Sequence, residues 1–213
     1  AEFERQDESV ILNTTVSVAP NDNVEIRRVT LINNGNRARV FALTSYAEII
    51  LADQSVDRRH PAFNKLFIES EFLPNEEVLL FRRRPRSADE KPIYLAHFFL
   101  SNDGDVRLTG YETDRTRFIG RGGTPEFPKV FSSSSDASRL SGTTGATLDP
   151  ICALQAEINL PAFESTQVAF VTLAAGSRKE ALDLARRYHR WSYLRRVIDD
   201  ARTHSEREFS QLD

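Results

Sequence analysis

From Ser9 to about Thr113, apolar and polar residues alternate with period two, interrupted at short intervals by Pro, Asn, Asp and Gly. Val10, Leu12, Thr14, Val16 and Val18 fall on one face of a strand, and Pro20-Asn21-Asp22-Asn23 turns the chain into a partner over 24–33. The tetrad Asn33-Asn34-Gly35-Asn36 predicts a hairpin, and the segment 38–51, apolar on both faces, predicts one long central strand. Further strands are predicted over 65–73, 77–84, 93–100, 105–113, 151–160 and 166–174. Serial strands with short connections mean antiparallel sheets, and this many mean a large two-sheet sandwich of mainly β class.

The period changes near Gly176. Ser177-Arg178-Lys179-Glu180 has the form of a capping box, and Ala181, Leu184, Ala185 and Tyr188 mark one helical face. A second helix is predicted from about Ser192 to Thr203, with Trp191 at the junction pinning the helices to the sandwich. The reading is a β domain over 1–175 followed by a helical segment over 176–213. Between them, 120–142 loosens into glycine, proline and the polar run 132–135, which predicts a long surface excursion.

Composition narrows the classes. The 213 residues suffice for a full core, and 40% hydrophobic with 28% charged residues is ordinary for a globular domain. A net charge of −3 gives no basic field, so nucleic acid is not an expected partner. No stretch approaches the ~20 apolar residues of a membrane helix, so no membrane insertion by this segment is expected. The chain opens on Ala1 in a polar segment and contains no methionine, so it reads as a piece of a longer protein. Its one cysteine, Cys152, lies in an apolar run and reads as a buried free thiol of a reducing, cytoplasmic compartment.

The densest chemistry is in 110–122, GYETDRTRFIGRG. Thirteen residues hold two aromatic rings, two acids, three arginines and three glycines. Asp114 can cap a short turn, and Gly120, Gly122 and Gly123 can supply the positive φ angles of a tight loop. Uncharged, hydroxyl-rich ligands are held by planar guanidinium forks, carboxylates that accept hydroxyl hydrogens, and a ring face. Tyr111, Arg115, Arg117 and Arg121, with Glu112 and Asp114 orienting the arginines, are therefore the candidate carbohydrate-binding residues. The alternative for the same residues is a structural salt-bridge knot.

Other candidates are weaker. Glu69 and Glu71 share one face of a strand, as a pair of glycosidase carboxylates separated by about 6.5–9.5 Å could, but the preferred reading is a solvated sheet face with cross-strand ion pairs to 82–84. His60, His97, His189 and His204 are scattered, so no metal or cofactor is expected, and His60 reads as a loop anchor. Ser45-Tyr46 and Ser141-Gly142 lack the setting of a nucleophile elbow. Tyr46, Tyr94 and Tyr111 can stack on sugars or sit half-buried in strands.

Five segments carry a resemblance: 43–51 (LTSYAEIIL), 60–73 (HPAFNKLFIESEFL), 82–87 (RRRPRS), 110–122 and 140–154 (LSGTTGATLDPICAL). In order and spacing they resemble the N-terminal β-sandwich region of glycoside hydrolase family 94, the inverting β-glucoside phosphorylases once grouped as glycosyltransferase family 36. Within that family the similarity is to the phosphorylase-like part of bacterial cyclic β-1,2-glucan synthases, and it covers roughly residues 2–212. The resemblance implies a galactose-mutarotase-like supersandwich, a helical linker, and an (α/α)6 barrel beyond this chain that carries the catalytic acid. It implies no catalytic residue here. Implied partners are a β-glucan or oligosaccharide, the protein's own barrel and a second subunit in a homodimer. The implied setting is the cytoplasm, as part of a bacterial inner-membrane protein.

Overall fold

A computed structural model describes residues 1–87, 89–102, 105–132 and 140–210. Among these residues the order of elements is β1 (Glu2–Asp7), β2 (Val10–Val18), β3 (Val24–Asn33), β4 (Arg39–Thr44), β5 (Ala47–Glu48), α1 (Gln54–Arg59), α2 (Pro61–Lys65), β6 (Ile68–Leu73), β7 (Val78–Arg83), β8 (Ile93–Ser101), β9 (Val106–Asp114), α3 (Arg115–Ile119), a 3₁₀ turn (Lys129–Phe131), β10 (Gly145–Ala146), β11 (Pro150–Leu160), β12 (Ser165–Ala175), α4 (Arg178–Tyr188) and α5 (Trp191–Phe209). The strands form two antiparallel sheets. The large sheet runs β1-β2-β3-β12-β8-β7-β6-β10, and in the small one β11 is flanked by β9 on one side and by β4 and β5 on the other. The mainly-β sandwich with terminal helices is thus observed.

Alternation along the strands builds three apolar layers. The outer face of the large sheet offers Ile26, Leu80, Phe98 and Val171 to Leu184, Tyr188, Leu194 and Ile198 of the helices. Its inner face sets Leu79, Phe81, Phe99 and Phe170 against Leu154 and Ile158 of β11. The outer face of the small sheet, Ile151 and Ala153, is covered by Phe118, Ile119 and Leu140. β11 is therefore buried on both faces, which is why its sequence is apolar nearly throughout. Each large side chain so buried contributes about 1.5–3 kcal/mol against the entropy of ordering the chain.

The helical segment docks as its sequence predicts. Ser177 Oγ accepts from Glu180 N at 3.2 Å, while the Glu180 carboxylate accepts from Gly176 N at 3.1 Å, one residue earlier than in a reciprocal box. Tyr188 donates to Asp22 at 2.8 Å and Arg187 donates to the same carboxylate at 3.0 Å, tying α4 to the β2–β3 turn. Trp191 opens α5 and packs, partly buried, on the outer core.

Four expectations are corrected. The segment 38–51 is not one central strand: it is an edge broken into β4 and β5 at Ser45-Tyr46. The break frees Ser45 Oγ to take Leu154 N at 3.0 Å and to meet His97 Nε2 of the opposite sheet at 2.8 Å, while His97 Nδ1 meets Thr172 Oγ1 at 2.9 Å. This polar bridge crosses the inter-sheet core, and burial lowers the His97 pKa to about 4, so the imidazole there is neutral. The tetrad 33–36 is not a hairpin but the crossing between sheets. Asn33 is fully buried and donates to the carbonyls of Arg37, Leu160 and Pro161 at 2.8, 3.3 and 3.0 Å, while its Oδ1 takes Gly35 N at 3.0 Å. That side chain, rather than a strand ladder, closes the turn. The excursion over 120–142 lies largely at the surface but is not wholly loose, because Val130 and Leu140 pack into the third apolar layer; most of the run 132–135 lies outside the described residues. Finally, the segment 65–73 begins as helix: α2 occupies Pro61–Lys65 and the strand starts at Ile68.

Candidate functional site

The 110–122 segment divides at the end of β9. Tyr111 faces the inter-sheet core, stacked on Phe72 with ring centroids 4.1 Å apart. Glu112, one position on, points the other way and is 1% exposed. Its Oε1 accepts from the backbone N–H groups of Thr113 and Asp114, each at 2.9 Å, and its Oε2 accepts from the Ser141 hydroxyl. Glu112 thus anchors the 140–145 segment across β9 rather than orienting an arginine. Around it Gly142 N donates to Tyr111 O at 2.9 Å and Thr113 Oγ1 donates to Thr143 O at 2.9 Å. Gly110 lets Leu140 pack closely here: a Cβ would stand 3.3 Å from Leu140 Cβ, so that side chain would have to shift by a few tenths of an ångström.

Asp114 caps α3, its Oδ1 accepting from Thr116 N at 2.8 Å, and lies 3.8 Å from Arg117. Gly120 and Gly122 have the positive φ expected of them, +86° and +75°. Gly123 does not: it is glycine because a Cβ would sit 2.3 Å from Ile119 O. Arg117 and Arg121 project from this turn into solvent, Arg117 being 59% exposed.

Arg115 turns back into a network whose other charged members, Glu48, Lys65 and Asp149, the sequence did not single out. Its Nε donates to Glu48 at 3.0 Å and lies 3.7 Å from Asp149, while Lys65 pairs with Asp149 and stands 3.7 Å from Glu48. The Tyr46 hydroxyl also donates to Glu48, at 3.2 Å. Burial, then the Glu48 charge, push the Tyr46 phenol up to about 12. For Glu48 itself partial burial pushes upward, but Arg115, Lys65 and Tyr46 outweigh it and hold the carboxyl below its ordinary range. Two acids meet two cations, so the network is neutral.

Its residues come from four of the five blocks: Tyr46 and Glu48 from 43–51, Lys65 from 60–73, Arg115 from 110–122 and Asp149 from 140–154. The remaining block joins through Arg83. This buried guanidinium donates to Asn64 O at 3.0 Å and to Glu90 at 3.1 Å, with its plane over the Phe67 ring. The blocks thus converge on one end of the sandwich, where Arg117 and Arg121 are exposed.

Elsewhere the sequence candidates settle into structural roles. Glu69 is bound by Arg82 at 2.6 Å and by Arg84 at 3.1 Å, and Glu71 by Arg178 at 3.1 Å, so the two carboxylates are ion-paired on a sheet face. His60 joins α1 to α2 through its backbone, donating to Val56 O at 3.2 Å and accepting from Asn64 N at 3.1 Å. Cys152 is buried, and desolvation raises its thiol to about 12. Among the described residues no three His, Cys, Asp or Glu side chains are grouped to hold a metal, and no helix is long and apolar enough to cross a membrane. A trough of about 1050 Å³ lies apart from all of these, between the 18–25 turn and α4.

Comparison with known proteins accords with this architecture. The family model described as "Glycosyl hydrolase 94, supersandwich domain" matches residues 1–190, through the whole of α4. The chain is 40% identical over 168 residues to the cyclic beta-(1,2)-glucan synthase NdvB of Rhizobium meliloti (strain 1021), a match that spans 79% of this chain and 6% of that protein. Among solved structures, a polysaccharide lyase superposes over 85% of this chain and 23% of its own, with TM-score 0.47 and 10% identity. The family match over residues 1–190, with two antiparallel sheets and terminal helices, means that this chain belongs to glycosyl hydrolase family 94, as its supersandwich domain.

Proposed function

We propose that the chain is the non-catalytic, carbohydrate-associated module of a cyclic β-1,2-glucan synthase-like protein, in which it supports a following (α/α)6 barrel and borders the sugar path on the cytoplasmic side of a bacterial inner membrane. The observation that carries this reading is the convergence of the five sequence blocks on one end of the sandwich, where Arg115 is fixed by Glu48 at 3.0 Å while Arg117 and Arg121 remain exposed. Tyr111, Glu112 and Asp114 shape the loop that carries these arginines. The 40% identity to a glucan synthase favours a β-1,2-linked glucan as the sugar. The paired state of Glu69 and Glu71 supports assigning bond cleavage to another domain. In the whole protein, phosphorolysis of β-1,2-glucan would adjust chain length, and the sandwich would also meet a second subunit.

The test uses both forms of the protein. This chain alone should release no glucose 1-phosphate from β-1,2-gluco-oligosaccharides in phosphate buffer, whereas the full-length protein should, and phosphorolysis by the isolated chain would refute the reading. A second reading, a scaffold with no sugar contact, is favoured by the extent to which Glu112 and Arg115 are committed to protein partners. It predicts that alanine at Arg117 and Arg121 leaves the full-length protein's KM unchanged.

A further inference from the structure

The helices cover only part of the large sheet's outer face. α4 packs mainly on β12 and β8 and α5 on β2, and beside Leu80 the outer-face residues Glu71 and Arg82 of β6 and β7 remain exposed. The uncovered part holds a groove of about 310 Å³. Its floor follows from the register: Glu69 stands opposite Arg82, and Arg82 opposite Tyr94; Glu71 stands opposite Leu80. Directly opposed residues share a face, and Leu80 belongs to the outer core, so all five side chains lie on the outer face. Arg178, in the first turn of α4, closes one wall by its bond to Glu71.

Three features fit this groove to a neutral polyhydroxyl ligand. First, both carboxylates are ion-paired, Glu69 with Arg82 and Arg84 and Glu71 with Arg178, so neither stands as an unpaired charge that would select a cation. Second, both forks are held by one edge. Arg82 uses Nε and Nη2 on Glu69 at 2.8 and 2.6 Å, and Arg178 uses Nε and Nη2 on Glu71 at 3.1 and 3.3 Å. The Nη1 side of each has no bond to a described residue, so an oriented donor stands beside an acceptor carboxylate, the pairing that vicinal hydroxyls require. Third, the partly exposed Tyr94 ring, set beside the buried Leu80, supplies an apolar surface for the C–H face of a pyranose. The volume is at the lower end of the ~300–1,000 Å³ of small-ligand sites, enough for a short piece of a glycan.

We propose that this groove is a sugar-binding site, distinct from the Arg115–Arg121 loop and on the opposite face of the sandwich, that takes one or two units of a neutral β-glucan. The choice of a neutral β-glucan rests on the function proposed above; the fit of paired donors and acceptors to vicinal hydroxyls does not. A glucan held there would be retained on the domain without contact with the 110–122 loop.

The whole chain titrated with a β-1,2-gluco-oligosaccharide, followed by calorimetry and amide chemical shifts, tests it. Saturable binding is expected, with shifts centred on β6, β7 and the start of α4. Arg82→Ala and Glu71→Gln should each weaken Kd by about tenfold or more, as loss of a charge-assisted bond does, while Arg107→Ala, at an exposed arginine on the small sheet, changes it less than about twofold. Arg82→Lys keeps the charge but not the planar fork, and it too should weaken binding, which separates recognition from any loss of fold. Absence of saturable binding by the folded chain overturns the proposal, and so does binding lost on Arg121→Ala but kept in Arg82→Ala. Binding of cello-oligosaccharides with equal affinity, lost in the same variants, would uphold the groove and remove the β-1,2 assignment instead.

Discussion

The two outer faces of the sandwich are buried by different means. On the large sheet, α4 and α5 lay a regular apolar stripe of Leu184, Tyr188, Leu194 and Ile198 over β3, β8 and β12. On the small sheet, a five-residue helix, a 3₁₀ turn and the 140 segment bring Phe118, Ile119 and Leu140 onto Ile151 and Ala153. The first cover is propagated by backbone periodicity, so each buried residue is supported by its helical neighbours. The second depends on individual polar anchors: Glu112 on Ser141, Asp114 on Thr116, Thr113 on Thr143. A face covered by anchored loops can present exposed side chains at its rim, as Arg117 and Arg121 do, whereas a face covered by helices exposes ligandable surface only where the helices end.

The comparison is broken most severely by opening the helical cover. Leu194→Ala, at a fully buried position, should cost about 2–5 kcal/mol in a cooperative transition, read by chemical denaturation. Phe118→Ala, equally buried in the loop cover, should lower the global midpoint by less and raise hydrogen exchange over 115–131 first. Equal global losses for both would mean that the two covers belong to one cooperative unit.

This difference also governs what could be read from the sequence. α4 was legible because Ser177, Glu180 and the 3.6 period state the same answer, and β2, β3, β11 and β12 because their alternation sits between clear turns. β1 was not, since Glu2–Asp7 is exposed along its whole length and carries no apolar face. The 33–36 crossing was misread because Asn-Gly is used there through the Asn33 side chain, whose partners at Leu160 and Pro161 are remote in the chain. At the candidate site the arginines were conspicuous, whereas Glu48, Lys65 and Asp149 were not, because each is unremarkable until long-range packing brings them together. Glu112 was assigned to the arginines, although its β9 alternation with Tyr111 already sent it elsewhere.

Glu112 sharpens the contrast next. Glu112→Ala leaves two backbone N–H groups and the Ser141 hydroxyl without their acceptor in a buried site, and should destabilise by about 3 kcal/mol. Glu112→Gln keeps the shape and one acceptor and should cost less. If Glu112→Ala leaves the unfolding midpoint unchanged, the loop cover is not held by this carboxylate.

The bridge between the sheets gives a pH signature of comparable size. The His97 pKa of about 4 lies below its unfolded value of about 6.5, so the unfolded chain takes up a proton that the folded one refuses. Stability from this group is intact above pH ~6.5 and declines as pH falls towards 4, by up to about 3 kcal/mol. Burial lowers His189 as well, so the diagnostic is the difference between wild type and His97→Asn across this window. A difference that does not vary with pH would mean that His97 is readily protonated in the fold.

The smallest expected effect on stability is at the rim, and it separates function from structure most cleanly. Arg115 and Arg121 are six positions apart on one motif, yet Arg115 is tied to Glu48 and Asp149 while Arg121 is exposed at the turn. An exposed arginine contributes little to folding, so Arg121→Ala should shift the unfolding free energy by less than about 0.5 kcal/mol. Arg115→Ala leaves Glu48 with Lys65 as its remaining cation and should cost more, about 1 kcal/mol given that the network is part-exposed. In the full-length protein the order should invert: Arg121→Ala is expected to raise KM for β-1,2-gluco-oligosaccharide phosphorolysis several-fold, with its melting temperature unchanged. An Arg121→Ala protein with wild-type KM would confine the 110–122 motif to the structural role that Glu112 and Arg115 already show.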